Sequence, residues 1–249
     1  MKESIELISR KIRAGGKNVV FTGAGISTES GIPDFRSQGG IWEKFRPVYF
    51  DEFMSSRKAR EEYWRRWVVL YKDLMRAKPN PAHQALVKLH EWGLLKSVIT
   101  QNVDGLHQAS GLPDEMIIEL HGNTRRIRCM GCHQLTPIEE VRQRLNQGEA
   151  APECSCGGYL KPDTISFGQA MPMVEVEKAT ALSKDCNFFL VVGSTLIVQP
   201  AAQMPYYAKK NGAFLGIINL SETPCDSISD VLIQGKAGEV LPKIIRELA

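Results

Sequence analysis

Histidine is the side chain best suited to proton transfer near neutral pH, and this sequence contains five. His121 follows the apolar run Met116–Leu120 and precedes Gly122. It should therefore project from the carboxyl end of a strand, the edge at which open α/β sheets bind their ligands. His121 is accordingly the candidate general base, although its position alone fits a structural histidine equally well.

Three other histidines have plainer interpretations. His83 follows a Pro-Asn-Pro-Ala segment, which predicts that it caps or packs a helix. His107 is predicted to be a structural residue within a helix. His133 adjoins a cysteine and is predicted to lie at the surface.

A polar trio, Gln101, Asn102 and Asp104, follows the apolar run Ser97–Thr100. Burying polar side chains at the end of a strand costs free energy unless they bind a ligand or satisfy backbone groups. These three are therefore candidate binding residues. The alternative for Asp104 is that it only caps the next helix.

A glycine-rich string, GAGISTESGIPDFR, occupies residues 23–36 directly after the apolar run 18–22. Glycines at the end of a strand let the backbone approach a phosphate, and amides at the next helix start favour its charge. The spacing is not the ordinary G-x-G-x-x-G, because Thr28 stands where the third glycine would fall. Gly23 and Gly25 alone fit turn geometry equally well.

Four of the six cysteines form two tight pairs, Cys129 with Cys132 and Cys154 with Cys156. Four thiolates suit tetrahedral zinc, and a site with four protein ligands is structural. The second pair, Cys-Ser-Cys, is one residue tighter than the usual spacing. Cys186 and Cys225 lie outside the pattern and are predicted to be core or surface thiols.

The elements that must position these residues alternate between strands and helices. Apolar runs predict parallel strands at 18–22, 97–100, 116–120, 188–192 and 214–218, and helical patterns cover 3–14, 82–92, 173–183, 199–211 and 238–248. The alternation predicts an α/β fold with a doubly wound, Rossmann-like parallel sheet. We assign residues 1–36, 81–124 and 163–249 to this domain. Residues 37–80 form a helical insert, predicted to pack over the sheet, and residues 125–162 form a zinc-binding insert.

The composition excludes several classes of function. A net charge of +3 gives no basis for bulk binding of nucleic acid or an anionic membrane. Basic and acidic residues balance within the cysteine insert, which argues against nucleic-acid binding there. No apolar run approaches the ~20 residues that span a bilayer. The charged, amphipathic N-terminal segment is not expected to act as a signal peptide, and the paired cysteines predict a reducing, cytoplasmic location.

The string at residues 23–36 resembles the signature of the sirtuins, the NAD-dependent protein deacylases. The similarity continues along nearly the whole chain, in the family's order. The further matching segments are Thr100–Asp104 with Leu106 and His107, His121 with Gly122, the paired cysteines, Ile165–Gly168, Gly193–Leu196 with Pro200 and Ala201, Asn219, and Lys236–Glu239.

The resemblance implies NAD as a consumed co-substrate, one structural zinc ion and an acyl-lysine protein or peptide as substrate. The acyl oxygen would attack the ribose carbon as nicotinamide leaves, giving an imidate-like adduct. A ribose hydroxyl would then attack that adduct and water would resolve it, giving free lysine and O-acyl-ADP-ribose. Two other activities remain open for the same pocket, namely mono-ADP-ribosyl transfer and non-catalytic NAD sensing. The oligomeric state and the protein substrates are not indicated by the sequence.

The resemblance also implies a role for each matching residue. His121 and Asn102 would be catalytic; Gln101 would contact the ribose, and Asn102, Val103 and Asp104 the nicotinamide. Phe35 would cover the nicotinamide and Arg36 would order its loop. The remaining NAD contacts would be Gly23, Ala24, Gly25, Ser27, Thr28, Gly193, Ser194, Thr195, Asn219, Leu220, Ser221, Lys236 and Ala237. Several of these also fit ordinary turn chemistry.

The substrate peptide would add as a strand between Ile165–Gly168 and Leu196–Val198, with Ile165, Phe167 and Val198 lining an apolar tunnel. The alternative is that both segments are ordinary buried strands. Tyr63 and Arg66 have the Tyr-x-x-Arg spacing of sirtuins that remove acidic acyl groups. They lie about one helical turn too far from Pro79, so we interpret the match as coincidental and expect a deacetylase, with longer apolar acyl chains also open.

Three features of the sequence depart from the family's usual pattern. Gln169 stands in place of Glu, and Ser194 and Thr195 occur in reversed order. The third departure is the Cys-Ser-Cys pair. None of them removes a group with a predicted catalytic role.

Overall fold

The computed structural model describes residues 1–34, 40 and 46–249. Its strands are β1 (Asn18–Thr22), β2 (Ser97–Thr100), β3 (Ile117–Glu119), β4 (Gly122–Cys129), β5 (Leu135–Pro137), β6 (Leu160–Thr164), β7 (Phe188–Val192), β8 (Phe214–Asn219) and β9 (Val231–Gln234). Its helices are α1 (Lys2–Gly15), α2 (Phe50–Ser55), α3 (Arg57–Arg76), α4 (Pro81–Glu91), α5 (Leu106–Ala109), α6 (Ile138–Asn146), α7 (Met173–Asp185), α8 (Met204–Lys210) and α9 (Ala237–Leu248).

Six strands form the main sheet, in the order β3-β2-β1-β7-β8-β9. All of its strand pairs are parallel. The strand order reverses between β1 and β7, which is where open α/β sheets leave a crevice for a ligand. The predicted doubly wound, Rossmann-like fold is therefore confirmed.

Helices cover both faces of the main sheet. Val20 and Leu190 pack in a cluster with α1, α4 and α9. Their neighbours Val19 and Val191 face the opposite way, toward α7 and α8. Burial on both faces explains why β1 and β7 are uninterrupted apolar runs and not alternating ones.

A second, antiparallel sheet has the strand order β5-β4-β6 and carries the cysteine segment. Trp64 and Trp67 of α3 pack against Ile127 and Leu160 of this sheet. The prediction that the helical insert packs over the main sheet is thus wrong. Both faces of the main sheet are already covered, so the aromatic stripe of α3 is buried against the small sheet.

Two segments expected to dock the peptide, 165–168 and 196–198, are irregular and belong to no strand. This removes the alternative that they are ordinary buried strands. Strand β9 was not predicted, and it lies at an edge of the main sheet. The division into three domains stays a prediction, although the small sheet begins at Gly122 and ends at Thr164. Within the described ranges, no helix is both long and apolar enough to cross a bilayer.

Candidate active site

A cavity of about 700 Å³ opens at the carboxyl edge of the main sheet. The first residues after five of the parallel strands line it, namely Gly23, Gln101, Gly193, Leu220 and Gly235. Its opposite wall consists of α3 and of the irregular residues that follow β6. The cavity therefore lies between the main sheet and the insert, at the point where the strand order reverses.

The floor of the cavity is bare main chain. The amides of Gly23 and Gly25 donate to the carbonyls of Val192 (3.1 Å) and Gly193 (2.8 Å). A Cβ atom on Gly23 would lie 2.7 Å from the Gly193 carbonyl oxygen, and one on Gly25 would lie 2.8 Å from the Gly193 Cα. Both glycines are thus required for contact between the β1 and β7 loops, and that contact forms a surface that a phosphate can approach closely.

The segment after β2 is tied to the glycine loop. The Asn102 side-chain amide donates to the Gly23 carbonyl at 3.1 Å. Asp104 accepts hydrogen bonds from the Leu106 amide and from the Ser27 hydroxyl, both at 2.8 Å. Burial raises the pKa of this carboxyl, while the Leu106 amide, the Ser27 hydroxyl and other groups oppose the rise. The N-cap of the next helix is Gly105, so the alternative that Asp104 is that cap is wrong, although its oxygens are engaged within the protein by the Leu106 amide and the Ser27 hydroxyl.

His121 lies between β3 and β4 on the cavity wall, half-buried. Its Nδ1 is 3.0 Å from the Gln101 carbonyl oxygen. A carbonyl can only accept, so Nδ1 carries the hydrogen and Nε2 is the basic nitrogen of the neutral ring. Burial lowers the pKa of His121, and the bond to Gln101 opposes this. The ring is thus held in the tautomer, and biased toward the charge state, that a general base requires.

His83 and His107 are packed in the core, as predicted, and His133 is exposed. The rings of His83 and His107 lie 5.2 Å apart, and His107 Nε2 is 2.9 Å from the Thr22 hydroxyl. Burial lowers the pKa of His83 to about 4 and, together with His83, that of His107 to about 3. Both residues are therefore neutral and structural.

Most of the predicted site residues meet at this one cavity. Those that line it are Gly23, Ala24, Gly25, Thr28, Gln101, Asn102, Val103, His121, Ile165, Phe167, Gly168, Gly193, Ser194, Thr195, Val198, Asn219, Leu220, Ser221, Lys236 and Ala237. Ser27 and Asp104 lie behind the wall, bonded to each other, and Leu196 is buried in the main core. Phe35 and Arg36 lie outside the described residues.

The wall formed by α3 was not among the predicted site residues. It places Tyr63, Arg66, Trp67 and Leu70 on the cavity. The spacing of Tyr63, Trp67 and Leu70, at i, i+4 and i+7, marks one face of a helix and is the signal that could have identified them. Other lining residues without a predicted role are Asp34, Arg46, Pro47, Val48, Thr164, Ser166, Gln169, Met171, Gln199, Pro200, Ile218 and Gly235.

Tyr63 and Arg66 both line the cavity. Their separation from Pro79 along the sequence therefore does not keep their side chains out of the site. The Arg66 guanidinium pairs with Glu62 and also donates to the Arg46 carbonyl. Arg65 and Arg66 together lower the pKa of Glu62 to about 2. Two arginines share one carboxylate, so the trio keeps a net charge of +1, while the Arg66 guanidinium donates its hydrogen bonds to Glu62 and to the Arg46 carbonyl. Trp67 and Leu70 give the same wall an apolar surface.

The residues that follow β6 are anchored beside His121. The Ile165 amide donates to the His121 carbonyl at 2.9 Å, and the Phe167 carbonyl accepts from the Phe50 amide at 2.9 Å. Gln169, which departs from the family pattern, accepts from the Ser166 amide at 3.1 Å. These bonds fix an irregular strip of backbone along one side of the cavity.

The four predicted zinc ligands come together despite the tight Cys-Ser-Cys spacing. Their sulfur atoms all lie within 4.8 Å of one another. The Sγ atoms of Cys129 and Cys156 are 3.5 Å apart, and those of Cys132 and Cys154 are 3.8 Å apart. Tetrahedral zinc with Zn–S bonds of ~2.3 Å requires sulfur separations of about 3.8 Å. Backbone amides also donate to Cys129 and Cys156, which suits thiolates. The residues therefore fit a structural zinc ion.

Comparison with known proteins gives a consistent result. The model of the Sir2 family matches residues 23–200. NAD-dependent protein deacetylase 1 of Bradyrhizobium diazoefficiens is 48% identical over 242 residues, which cover 97% of this chain and 95% of that protein. NAD-dependent protein deacylase 2 of Archaeoglobus fulgidus is 42% identical over 250 residues, which cover 100% of this chain and 96% of that protein.

Solved structures agree with these relatives. A Sir2 complex with a p53 peptide and NAD has a TM-score of 0.88 at 35% identity, and the match covers 97% of both chains. A Sir2 protein bound to a propionylated peptide also has a TM-score of 0.88, at 34% identity, covering 98% of this chain and 99% of that one. By sequence, fold and cavity, this chain belongs to the Sir2 family, the sirtuins.

Proposed function

We propose that this chain removes acyl groups from lysine side chains of proteins and transfers them to the ADP-ribose part of NAD. It is an NAD-dependent protein deacylase. The observation that carries the proposal is the single cavity that brings together the main-chain floor of the glycine loop, the irregular strip after β6 and the Nε2 side of His121. Relatives with the same fold are solved with NAD and with acylated or deacylated peptides.

NAD, when bound, supplies an activated ribose carbon from which nicotinamide departs. The floor formed by Gly23, Gly25 and Gly193 would hold its phosphates through close main-chain approach. Asn102, fixed to the Gly23 carbonyl, would position the nicotinamide end next to His121. Asn219, whose side chain is bonded to Ser221, would bound the ribose at the other end.

His121 would act as the general base. Its Nδ1 hydrogen is committed to the Gln101 carbonyl, so Nε2 is the atom that accepts a proton from a ribose hydroxyl. The acyl-lysine peptide would lie along Ile165–Gly168, where backbone pairing gives affinity with little sequence selectivity.

The acyl group would meet the α3 wall. Because Trp67 and Leu70 give this wall an apolar surface, and because the Arg66 guanidinium already donates to Glu62 and to the Arg46 carbonyl, we infer a preference for acetyl and longer apolar acyl chains over acidic ones. Peptides that carry acetyl-, butyryl- or succinyl-lysine in the same sequence, compared by kcat/KM, test this inference. Succinyl-lysine as the best substrate would overturn the acyl preference and leave the deacylase activity intact.

The test of the main proposal is nicotinamide release from NAD with and without an acetyl-lysine peptide. We expect release only when the peptide is present, matched by an equal amount of free lysine peptide. His121→Ala should lower kcat by at least about 100-fold with NAD binding retained, since general bases contribute roughly 10²–10⁴. His133→Ala, at the exposed surface, is the matched control and should be fully active.

The same assay separates the other two activities. Transfer of label from the adenylate part of NAD onto protein, without lysine deacylation, would establish ADP-ribosyl transfer instead. NAD binding with no nicotinamide release under any condition would establish a sensor. We also propose a reducing, cytoplasmic location, because the four cysteines bind zinc only as reduced thiolates.

A further inference from the structure

Lys161 in β6 is the most buried charged side chain of the described residues, with an exposed fraction of 0%. No carboxylate oxygen in the described ranges lies within 4 Å of its ammonium group, so it forms no ion pair there. Burial lowers the pKa of Lys161 to about 7, and the nearby charge of Asp163 opposes this. A buried amino group needs hydrogen-bond partners within the protein in either charge state, so the contacts of Nζ show what it holds in place.

The ammonium group is used to hold main-chain carbonyls. Lys161 Nζ donates to the carbonyl of Pro162 at 3.3 Å and to the carbonyl of Thr164. It also lies 5.7 Å from the centre of the Tyr63 ring, within the range of a cation–π contact. Its hydrogen bonds therefore go to the last residues of β6, and its ring contact is with α3.

Thr164 is the point at which regular structure ends and the irregular strip begins. The next residue, Ile165, donates its amide to the His121 carbonyl at 2.9 Å. On the other side, the Tyr63 hydroxyl interacts with the side chains of Thr164 and Ser166, which lower its pKa against the larger effect of burial. Lys161 thus fixes the carbonyl that directly precedes the bond between the strip and His121.

We propose that Lys161 is a positioning residue for the acyl-peptide substrate, acting through the Thr164 carbonyl on the strip Ile165–Gly168. The inference rests on the proposed function, since it assigns substrate docking to that strip. Lys161 is behind the strip and does not line the cavity, so it contacts neither NAD nor the acyl group. Its loss should weaken peptide docking for every acyl chain by the same factor.

The test is Lys161→Met, which keeps the length and apolar volume of the side chain and removes its donors. We expect KM for the peptide to rise about tenfold, with kcat changed less than about threefold and KM for NAD within about twofold. The factor should be equal for acetyl and butyryl peptides. Lys17→Met is the matched control, because Lys17 forms a surface ion pair with Asp185, and it should leave all three constants unchanged.

Two outcomes would overturn the proposal. One is a folded Lys161→Met enzyme whose peptide KM stays within twofold of wild type. The other is a lower kcat together with a higher KM for both substrates and a lower melting temperature, which would show a purely structural role. If Lys161→Met does not fold, Lys161→Gln decides, since its shorter side chain cannot reach both the Pro162 and the Thr164 carbonyls, and a peptide KM within twofold of wild type would refute the idea. Wild-type nicotinamide release tests the proposed function separately.

Discussion

The carbonyl of Gln101 determines how His121 can act. The carbonyl accepts the Nδ1 hydrogen, so the ring presents Nε2 as a base without any carboxylate partner. Burial then keeps the ring neutral to lower pH than an exposed histidine, because it lowers the pKa of His121.

We predict that the acid limb of the kcat–pH profile lies below pH 6.5. A general base must be unprotonated, and a lowered pKa preserves the neutral form as the pH falls toward that value. The measurement is kcat between pH 5 and 9 at saturating NAD and acetyl peptide. An acid limb centred above pH 7 would contradict the assignment of His121 as a desolvated base.

At this scale the sequence supported the choice of His121, because it identified the strand end before Gly122. It did not reveal that Asp104 and Ser27 satisfy each other behind the wall. That bond depends on two loops, 77 residues apart in the chain, meeting above neighbouring strands. No pattern within either loop predicts that these two side chains come into contact.

Helix α3 connects the cysteine module to the cavity. One of its faces packs on Ile127, Cys129 and Leu160 of the small sheet, and another presents Tyr63 and Leu70 to the cavity. The small sheet therefore supports the cavity wall that lies opposite the main-chain floor. Loss of metal from the cysteine site should accordingly weaken turnover of the peptide more than it weakens binding of NAD.

We predict that Cys156→Ser lowers zinc content to well below one ion per chain and lowers Tm by roughly 5–10 °C. Because α3 loses its support, kcat/KM for the peptide should fall about tenfold, with NAD binding nearly retained. Zinc analysis, thermal unfolding and NAD titration measure the three effects. Cys225→Ala, a buried thiol of the main core, is the control that should retain zinc.

Full zinc occupancy or wild-type stability in Cys156→Ser would exclude this cysteine as a ligand. Full peptide turnover by the zinc-free protein would instead exclude the mechanical link through α3.

The elements that the sequence predicted well are those buried on both faces. Strands β1, β2 and β7 are short runs in which every residue is buried, and their bounds match the prediction. Strand β9 was missed because it has a neighbour on one side only and alternates buried Val231 and Ile233 with exposed Leu232 and Gln234. In four residues such a pattern is too short to distinguish from a loop.

The order of the strands governs the molecule as a whole. Parallel strands separated by helices left few possible topologies, so the sequence could predict the doubly wound fold. It could not predict where the helical insert would pack, because its aromatic stripe specifies an apolar partner but not which one. The far wall of the cavity was missed for the same reason.

We predict that the protein loses stability steeply below pH 6. The pKa values of His83 and His107 are lowered to about 4 and about 3, so the unfolded chain binds protons between these values and 6.5 while the native chain does not. The unfolding free energy should therefore fall with decreasing pH, by up to about 1.4 kcal/mol per pH unit for each histidine. Urea unfolding at pH 7, 6 and 5 measures the slope.

His107→Gln should be less stable than wild type at pH 7 but show a shallower slope. His133→Gln, an exposed control, should reproduce the wild-type slope. Equal slopes in wild type and His107→Gln would show that acid lability originates elsewhere, for example at the cysteine thiolates.

The cavity has one surface that tolerates no added side chain and another that is built from side chains. Where Gly23 and Gly25 meet Gly193, no side chain can be added without displacing backbone, so the part of the pocket that would hold the dinucleotide is fixed. On the α3 wall, Trp67 is also packed on the small sheet and Tyr63 on the strip after β6, whereas Leu70 is half-buried. We therefore expect substitution at Leu70 to change the acyl preference while the floor that would hold the dinucleotide stays as it is.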